Sequence, residues 1–135
     1  QADPYAGVHS LIPPNSALQG LVEEHTTSQS GRYAVIRIKT PNQLTHVVNI
    51  YAPASSKGAR EAFFSDLTDA PCMLEPCILA VGDWNFVTGR LDRLSVNGHS
   101  DPSPHPYAEN YLDMHNLIDI FRYYDDESVV MTYKA

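Results

Sequence analysis

Hydrophobic and polar residues alternate along much of the first half of the chain. Over residues 33–39 the odd and even positions separate into two faces, and β-branched residues dominate 44–51. A period of two with β-branched side chains predicts strands. The sequence Thr-Pro-Asn-Gln at 40–43 predicts a hairpin connection between them. We predict two less regular strands over residues 6–12 and 17–27.

The pattern changes to helical spacing in the second half. Apolar residues at helical intervals predict helices over 57–67 and 106–117, with a further helical turn at 118–124. The continuous apolar run Cys77–Val81 predicts a strand that is buried on both faces, and 129–133 predicts a last short strand. Paired strands followed by alternating helices and strands predict an α+β fold, in which helices cover a mixed sheet.

Composition agrees with one globular domain of 135 residues, because 43% of the residues are hydrophobic and 19% are charged. No apolar run approaches the roughly 18 residues of a membrane helix, so we expect no membrane partner. Cys72 and Cys77 are too few for a zinc site or a disulfide framework, and we expect free thiols in a reducing compartment. We therefore expect an intracellular location, with a nuclear one left open.

The formal net charge of −7 weighs against a protein that coats nucleic acid by bulk attraction, since such binding depends on Lys and Arg neutralising phosphates. An enzyme that cleaves one phosphodiester needs only a local basic rim. The charge therefore weakens a DNA-binding interpretation and does not exclude one.

Two strand ends carry polar groups suited to phosphate chemistry. The strand 77–81 is followed by Gly-Asp-Trp-Asn, which delivers the Asp83 carboxylate and the Asn85 amide to the end of a rigid strand. A carboxylate can polarise a water there, and an amide can orient it. Tyr51 is the last residue of the strand 44–51, and it places its hydroxyl at the end of that strand. The simpler alternatives are an Asx turn at Asp83 and Asn85, and a core aromatic whose hydroxyl lies at the rim for Tyr51.

An ordered set of motifs extends this pattern over nearly the whole chain. The segments AGVHSLIPPN, GRYAVIRI, LTHVVNIYAP, CILAVGDWN, GRLDR, NLIDIFR and MTY follow one another from about Ala6 to Tyr133. In order and spacing they resemble the metal-dependent endonuclease/exonuclease/phosphatase family, which includes abasic-site endonucleases, DNase I and the endonucleases of LINE retrotransposons. Leu91-Asp92-Arg93 and the segment 117–120 resemble the retroelement branch most.

The resemblance implies a DNase I-like layered α/β sandwich, with the active site where strands of both sheets end. Asp83 matches the family's catalytic aspartate, which holds or deprotonates the attacking water, and Asn85 matches its partner, which orients the nucleophile. Tyr51 matches the tyrosine that supports the pentavalent transition state. Thr132 matches more loosely a Ser or Thr near the DNA rim.

The loop arginines Arg90 and Arg93 are expected phosphate contacts, although a purely solvated role is the alternative for both. The implied partner is DNA, and the implied cofactor is Mg²⁺. As a full domain, the retroelement branch nicks target DNA and leaves a 3′-hydroxyl for primed reverse transcription.

The sequence also departs from the family pattern. The family's Asn and Mg²⁺-binding Glu in its first half, and its Ser-Asp-His motif near its end, have no match here. Glu23 and Glu24 are assigned to a solvated strand edge, and His46 and His115 to structural roles. We therefore expect the C-terminal part of such a domain, truncated at both ends and weakly active or inactive by itself.

Three functions follow from the same ancestry. The first is part of a Mg²⁺-dependent DNA endonuclease of retroelement type. The second is a catalytically dead binding module that forms homodimers through exposed sheet edges. The third is a phosphatase of the same family, which the acidic charge favours, whereas the Leu91-Asp92-Arg93 loop favours the nuclease.

Overall fold

The structure, a computed structural model, describes residues 7–54, 56–74, 78–86 and 106–127. The chain forms two compact units, Gln1–Asn85 and Phe86–Ala135. Within the described residues, no helix has the length and apolar character that a membrane crossing requires.

The described residues of the first unit form four strands and one α-helix. They are β1 (Val22–Thr27), β2 (Tyr33–Lys39), β3 (Leu44–Tyr51), α1 (Lys57–Thr68) and β4 (Ile78–Asp83). Short 3-10 turns at Gln19–Leu21 and Pro71–Leu74 precede β1 and follow α1. The predicted strands at 33–39 and 44–51 are confirmed to the residue, and the helix predicted at 57–67 extends one residue further.

The four strands form one sheet in the order β1-β2-β3-β4. β1 with β2 and β2 with β3 pair antiparallel, whereas β3 and β4 pair parallel. The parallel pair requires a crossover, and α1 supplies it. The expected α+β class with a mixed sheet is therefore confirmed.

Most of the core of this unit lies on one face of the sheet. Along β3, His46, Val48 and Ile50 are buried, while the residues between them are half-buried. This is the alternation that the sequence predicts for a strand with one covered face. The Phe63 ring of α1 meets the Tyr33 ring of β2 edge-on, with 6.4 Å between centroids. α1 therefore contacts the face on which Tyr33 lies.

The start of α1 follows from its capping residue. Ser56 has an extended backbone, and its hydroxyl accepts a hydrogen bond from the Ala59 amide at 3.2 Å. Such a cap satisfies one of the amides that a helix leaves unpaired at its start. Phe63, Phe64 and Leu67 are the buried residues of the helix, so its apolar stripe faces the core.

The prediction that the apolar strand near Cys77 is buried on both faces is wrong. β4 is the last strand of the described sheet, and its Leu79 and Val81 side chains are 53% and 40% exposed. Ile78 and Ala80, which point to the opposite face, are half-buried. An unbroken apolar run does not distinguish a central strand from an edge strand, because both faces of either can be apolar.

The other end of the sheet is polar. β1 is almost fully exposed, and its Glu23 forms ion pairs with Arg37 at 3.6 Å and Lys39 at 3.1 Å. Glu24 lies 3.6 Å from Arg37 as well. The assignment of both glutamates to a solvated edge is confirmed. A register shift between Val22 and Glu24 further interrupts this edge.

The strand predicted at 6–12 is wrong for the described residues 7–12, which have no strand structure. Instead, the Asn49 amide of β3 donates to the carbonyl of His9 at 3.1 Å and to the hydroxyl of Ser10 at 3.2 Å. The segment is therefore held by a side chain rather than by a strand ladder. The strand predicted at 17–27 begins only at Val22.

The second unit contains two described helices, α2 (Pro106–Met114) and α3 (Ile120–Tyr124). Ala108 and Tyr111 are buried in α2, but Met114 is 64% exposed, so the predicted apolar face is only partly covered. α2 ends earlier than predicted, and Asn116 adopts a left-handed backbone with φ 51°. Asn tolerates this conformation, which commonly ends a helix.

Candidate functional site

Tyr51 and Asp83 lie side by side at the ends of the two parallel strands. They are register partners in the pairing of β3 with β4. Neighbouring strands are about 4.8 Å apart, and register partners point to the same face of a sheet. The phenol of Tyr51 and the exposed carboxylate of Asp83 therefore share one face at the carboxyl end of these strands. The structure brings together the two residues that the sequence placed at separate strand ends.

Gly82 permits the close approach that sets up this pair. Its φ is +124°, and a Cβ at this position would overlap the carbonyl oxygen of Ile50. Any side chain at this position would collide with the backbone of β3. Gly82 therefore allows β4 to pair with β3 up to Asp83.

The Asp83 carboxylate also organises the loop after β4. Its Oδ1 accepts a hydrogen bond from the backbone amide of Asn85 at 3.0 Å. The backbone carbonyl of Asp83 accepts one from the backbone amide of Ala52 at 2.8 Å. Asn85 has φ 50°, and its Nδ2 donates to the Ala52 carbonyl at 2.6 Å. The Asx turn considered as an alternative is present. The side-chain amide of Asn85 thus links the end of β4 to the residue that follows β3.

Trp84 holds the same loop from the opposite side. Its ring stacks on the buried Phe64 of α1, with 6.3 Å between centroids and 19° between the planes. Because Trp84 is anchored on the helix, the residues on either side of it, Asp83 and Asn85, are held at the sheet end.

Arg32, which the sequence analysis did not single out, lies against Tyr51. Its Nη1 donates to the Tyr51 carbonyl at 3.3 Å, and its Cζ lies 5.5 Å from the centre of the Tyr51 ring. The Tyr51 amide donates to the Arg32 carbonyl at 2.8 Å. Arg32, Tyr51 and Asp83 therefore form a row across the ends of three strands, which we call the strand-end row. It contains a guanidinium, a phenol and a carboxylate.

Three other predicted site residues, Arg90, Arg93 and Thr132, lie outside the described residues. Two histidines were assigned to structural roles, and His46, in the same unit as the strand-end row, is not part of it. His46 is buried at 6% exposure, and its Nδ1 has no hydrogen-bond partner in the described structure. His115 belongs to the second unit and contacts the Tyr111 ring at 4.7 Å.

The strand-end row can act on a phosphate in three ways. The carboxylate can accept a proton from a water, the phenol can donate a hydrogen bond to a phosphate oxygen, and the guanidinium adds positive charge beside both. Among the described residues, no three His, Cys, Asp or Glu side chains gather closely enough to hold a metal ion. Asp83 fits Mg²⁺ as one carboxylate ligand shared with a substrate phosphate, which is the usual protein contribution to such sites.

The place of Arg32 beside Tyr51 can be predicted from the sequence, whereas the contact of Trp84 with Phe64 cannot. Counting outward from the 40–43 turn pairs Arg32 with Tyr51, because the antiparallel register has no irregularity between β2 and β3. Trp84 could not be assigned to Phe64 in this way, since that contact depends on how α1 lies on the sheet.

A scan against models of protein families gives no match for this chain, and a search of curated proteins gives none either.

Proposed function

We propose that this chain is part of a Mg²⁺-dependent DNA endonuclease of retroelement type, with a DNase I-like fold. One observation supports the proposal most directly: Tyr51 and Asp83 are register partners on one sheet face. Three segments far apart in sequence contribute a guanidinium, a phenol and a carboxylate to one edge. A structural role explains the Asp83–Asn85 turn, but it does not require an exposed carboxylate beside a phenol.

In this proposal Asp83 accepts the proton of the attacking water, and Tyr51 donates a hydrogen bond to an oxygen of the scissile phosphate. A hydrogen-bond donor such as the Tyr51 phenol acts by stabilising charge that develops in the transition state, and removing one such donor costs about 2.7–4 kcal/mol. Asn85 keeps both strand ends in place through its bond to the Ala52 carbonyl. Mg²⁺, whose glutamate ligand in the family has no match in this sequence, would neutralise charge on the phosphate.

The test is nicking of supercoiled plasmid in the presence of Mg²⁺ by the wild-type chain and by Asp83→Ala and Tyr51→Phe. The family's glutamate and histidine have no match in this sequence, so we expect slow nicking or none. Where nicking is measurable, Asp83→Ala should abolish it, and Tyr51→Phe should reduce it by about a hundredfold. Where it is not, duplex DNA affinity measured by fluorescence anisotropy in Mg²⁺ should change in Asp83→Ala.

Asp113→Ala is a matched control, because Asp113 is an exposed acid on α2 in the other unit. It removes the same charge from the chain and changes no residue of the strand-end row. The proposal is contradicted if Asp83→Ala and Asp113→Ala behave alike in both assays.

A second candidate function has its own supporting observation. The exposed Leu79 and Val81 lie on the same face as Asp83, on the last strand of the described sheet. An apolar edge strand is a template for pairing with another chain. A second copy could pair with β4 about a twofold axis, which would make the chain a self-associating module without catalysis. A dimer by light scattering, together with no effect of Asp83→Ala on DNA, would favour this candidate.

A further inference from the structure

The backbone of Arg32 is fixed by the turn that precedes β2. The Ser28 hydroxyl accepts hydrogen bonds from the Arg32 amide at 3.1 Å and from the Tyr33 amide at 3.2 Å. Gly31 takes a left-handed backbone with φ 71°, and its amide donates to the Ser28 carbonyl at 3.0 Å. A serine and a glycine at these positions form a turn that holds Arg32 at the start of the strand.

The pairing of β2 with β3 then sets the direction of the Arg32 side chain. Tyr33 pairs with Ile50, and the bond from the Tyr51 amide to the Arg32 carbonyl extends the ladder by one residue. Register partners point to the same face, so the side chains of Arg32 and Tyr51 lie together on the face that also carries Asp83.

The Arg32 side chain makes two different contacts with Tyr51. The first is the hydrogen bond from Nη1 to the Tyr51 carbonyl at 3.3 Å. The second is the position of the guanidinium over the phenol ring, with its Cζ 5.5 Å from the ring centre. That distance lies within the roughly 6 Å over which a cation is attracted to an aromatic face. One side chain therefore restrains both the main chain and the ring of the same residue.

We propose that Arg32 is the positioning residue of this site, and that it holds the Tyr51 phenol beside the Asp83 carboxylate. The proposal rests on the proposed function, from which Tyr51 takes its role. Arg32 acts through Tyr51, and its guanidinium donates a hydrogen bond while lying over the ring. A lysine ammonium is a compact point charge without the broad fork of donors of a guanidinium, so it is less suited to reach the Tyr51 carbonyl and the Tyr51 ring together.

The first experiment observes Tyr51 directly and needs no activity. The chain is labelled with ¹³C in the tyrosine rings, and the ring resonances of its 8 tyrosines are assigned. We expect Arg32→Met and Arg32→Lys to move the Tyr51 resonances. Arg60→Met is the matched control, because Arg60 also donates to a backbone carbonyl, that of Ala54 at 2.9 Å. It should leave the Tyr51 resonances in place.

The second experiment separates positioning from general stabilisation. Nicking rate, or duplex DNA affinity where nicking is too slow, is measured for Arg32→Lys, Tyr51→Phe and the double variant. Arg32→Lys should lower the nicking rate, or the DNA affinity, by about tenfold. This is the effect expected from the loss of one cation–π contact together with its hydrogen bond. The double variant should be no worse than Tyr51→Phe alone, because a residue that acts through the phenol has nothing to position once the hydroxyl is gone.

The outcomes distinguish the two proposals. Unmoved Tyr51 resonances in both Arg32 variants would overturn the positioning role, whatever the chain does to DNA. Additive losses in the double variant would overturn it too. If the resonances move while Tyr51→Phe and Asp83→Ala leave nicking and DNA affinity unchanged, Arg32 still holds Tyr51, and the endonuclease proposal fails.

Discussion

At the scale of single residues, Gly82 makes a close backbone contact beside the strand-end row. Its positive φ and its contact with the Ile50 carbonyl leave no space for a methyl group. The conformation is one that L side chains rarely adopt. Gly82 pairs with Ile50, directly before the pair Tyr51 and Asp83. A substitution at Gly82 would therefore disturb the pairing of β3 with β4 next to Tyr51 and Asp83.

We expect Gly82→Ala to lower the free energy of unfolding by about 2–3 kcal/mol or more, from backbone strain and steric conflict. Gly58→Ala is the matched control, because a Cβ at Gly58 in α1 meets nothing within 4 Å. It should raise stability by up to about 1 kcal/mol. Urea denaturation measures both. Equal effects of the two substitutions would contradict the close approach at Gly82.

Because of Tyr33, we expect the free energy of unfolding to fall at alkaline pH. Burial, and then the charges of Asp66 and Cys72, raise the pKa of Tyr33 above its usual 10.0. The folded chain therefore keeps this proton to higher pH than the unfolded chain does. The contribution is fully present below about pH 10 and is lost as pH rises through the folded pKa.

Tyr33→Phe should accordingly flatten the fall in unfolding free energy above pH 10, relative to wild type. Burial also raises the pKa of the Cys72 thiol above 9.0, so the comparison is made in a Cys72→Ala background. Urea titrations at successive pH values measure the slope. An unchanged slope in Tyr33→Phe would mean that burial of this phenol has no energetic consequence.

The residues of the site differed in how far the sequence could predict them. Asp83 and Tyr51 follow from strand ends, because the end of an alternating segment is visible in the sequence. Their pairing partner across the sheet is not visible, since a parallel register depends on the length of the crossover. The role of Trp84 required the position of α1, which no local pattern determines.

At the scale of elements, α1 depends on its serine cap. We expect Ser56→Ala to cost about 1 kcal/mol, because the Ala59 amide loses the hydroxyl that accepts its hydrogen bond. Ser65→Ala is the control within the same helix, where alanine has the higher helix propensity and should be neutral or slightly stabilising. Thermal unfolding followed by circular dichroism measures both. A larger loss in Ser65→Ala would contradict the capping role.

Elements with a strong local pattern were predicted better than those without one. β2 and β3 match their predicted bounds because alternation and a hairpin turn act together. The predicted strand at 6–12 failed, since a short apolar segment next to two prolines carries no period. For β4 the strand was predicted and its burial was not, because burial depends on neighbouring strands that the sequence of one strand does not specify.

At the scale of the whole molecule, the two ends of the described sheet differ in chemistry. β1 presents glutamates that are paired with Arg37 and Lys39, and such charges discourage another chain from pairing there. β4 presents Leu79 and Val81 instead. If the chain self-associates, this difference favours contact through β4 over contact through β1.

We expect Leu79→Lys to weaken self-association by at least about tenfold in Kd, because it places a charge on the apolar strand at the contact. Leu11→Lys is the matched control, since Leu11 is 91% exposed and lies outside the sheet. Sedimentation equilibrium over a range of concentrations gives Kd for both. A monomeric wild-type chain, or equal weakening by the two variants, would exclude dimerisation through β4.

The pairing of Tyr51 with Asp83 has a consequence for sequence change in this chain. Side chains alternate between faces, so inserting one residue within β3 would turn Tyr51 to the covered face, whereas inserting two would return it. Length variation is therefore expected to accumulate in the connections, and within the strands only in even steps. The site therefore depends on the register of the strands as much as on the identity of its side chains.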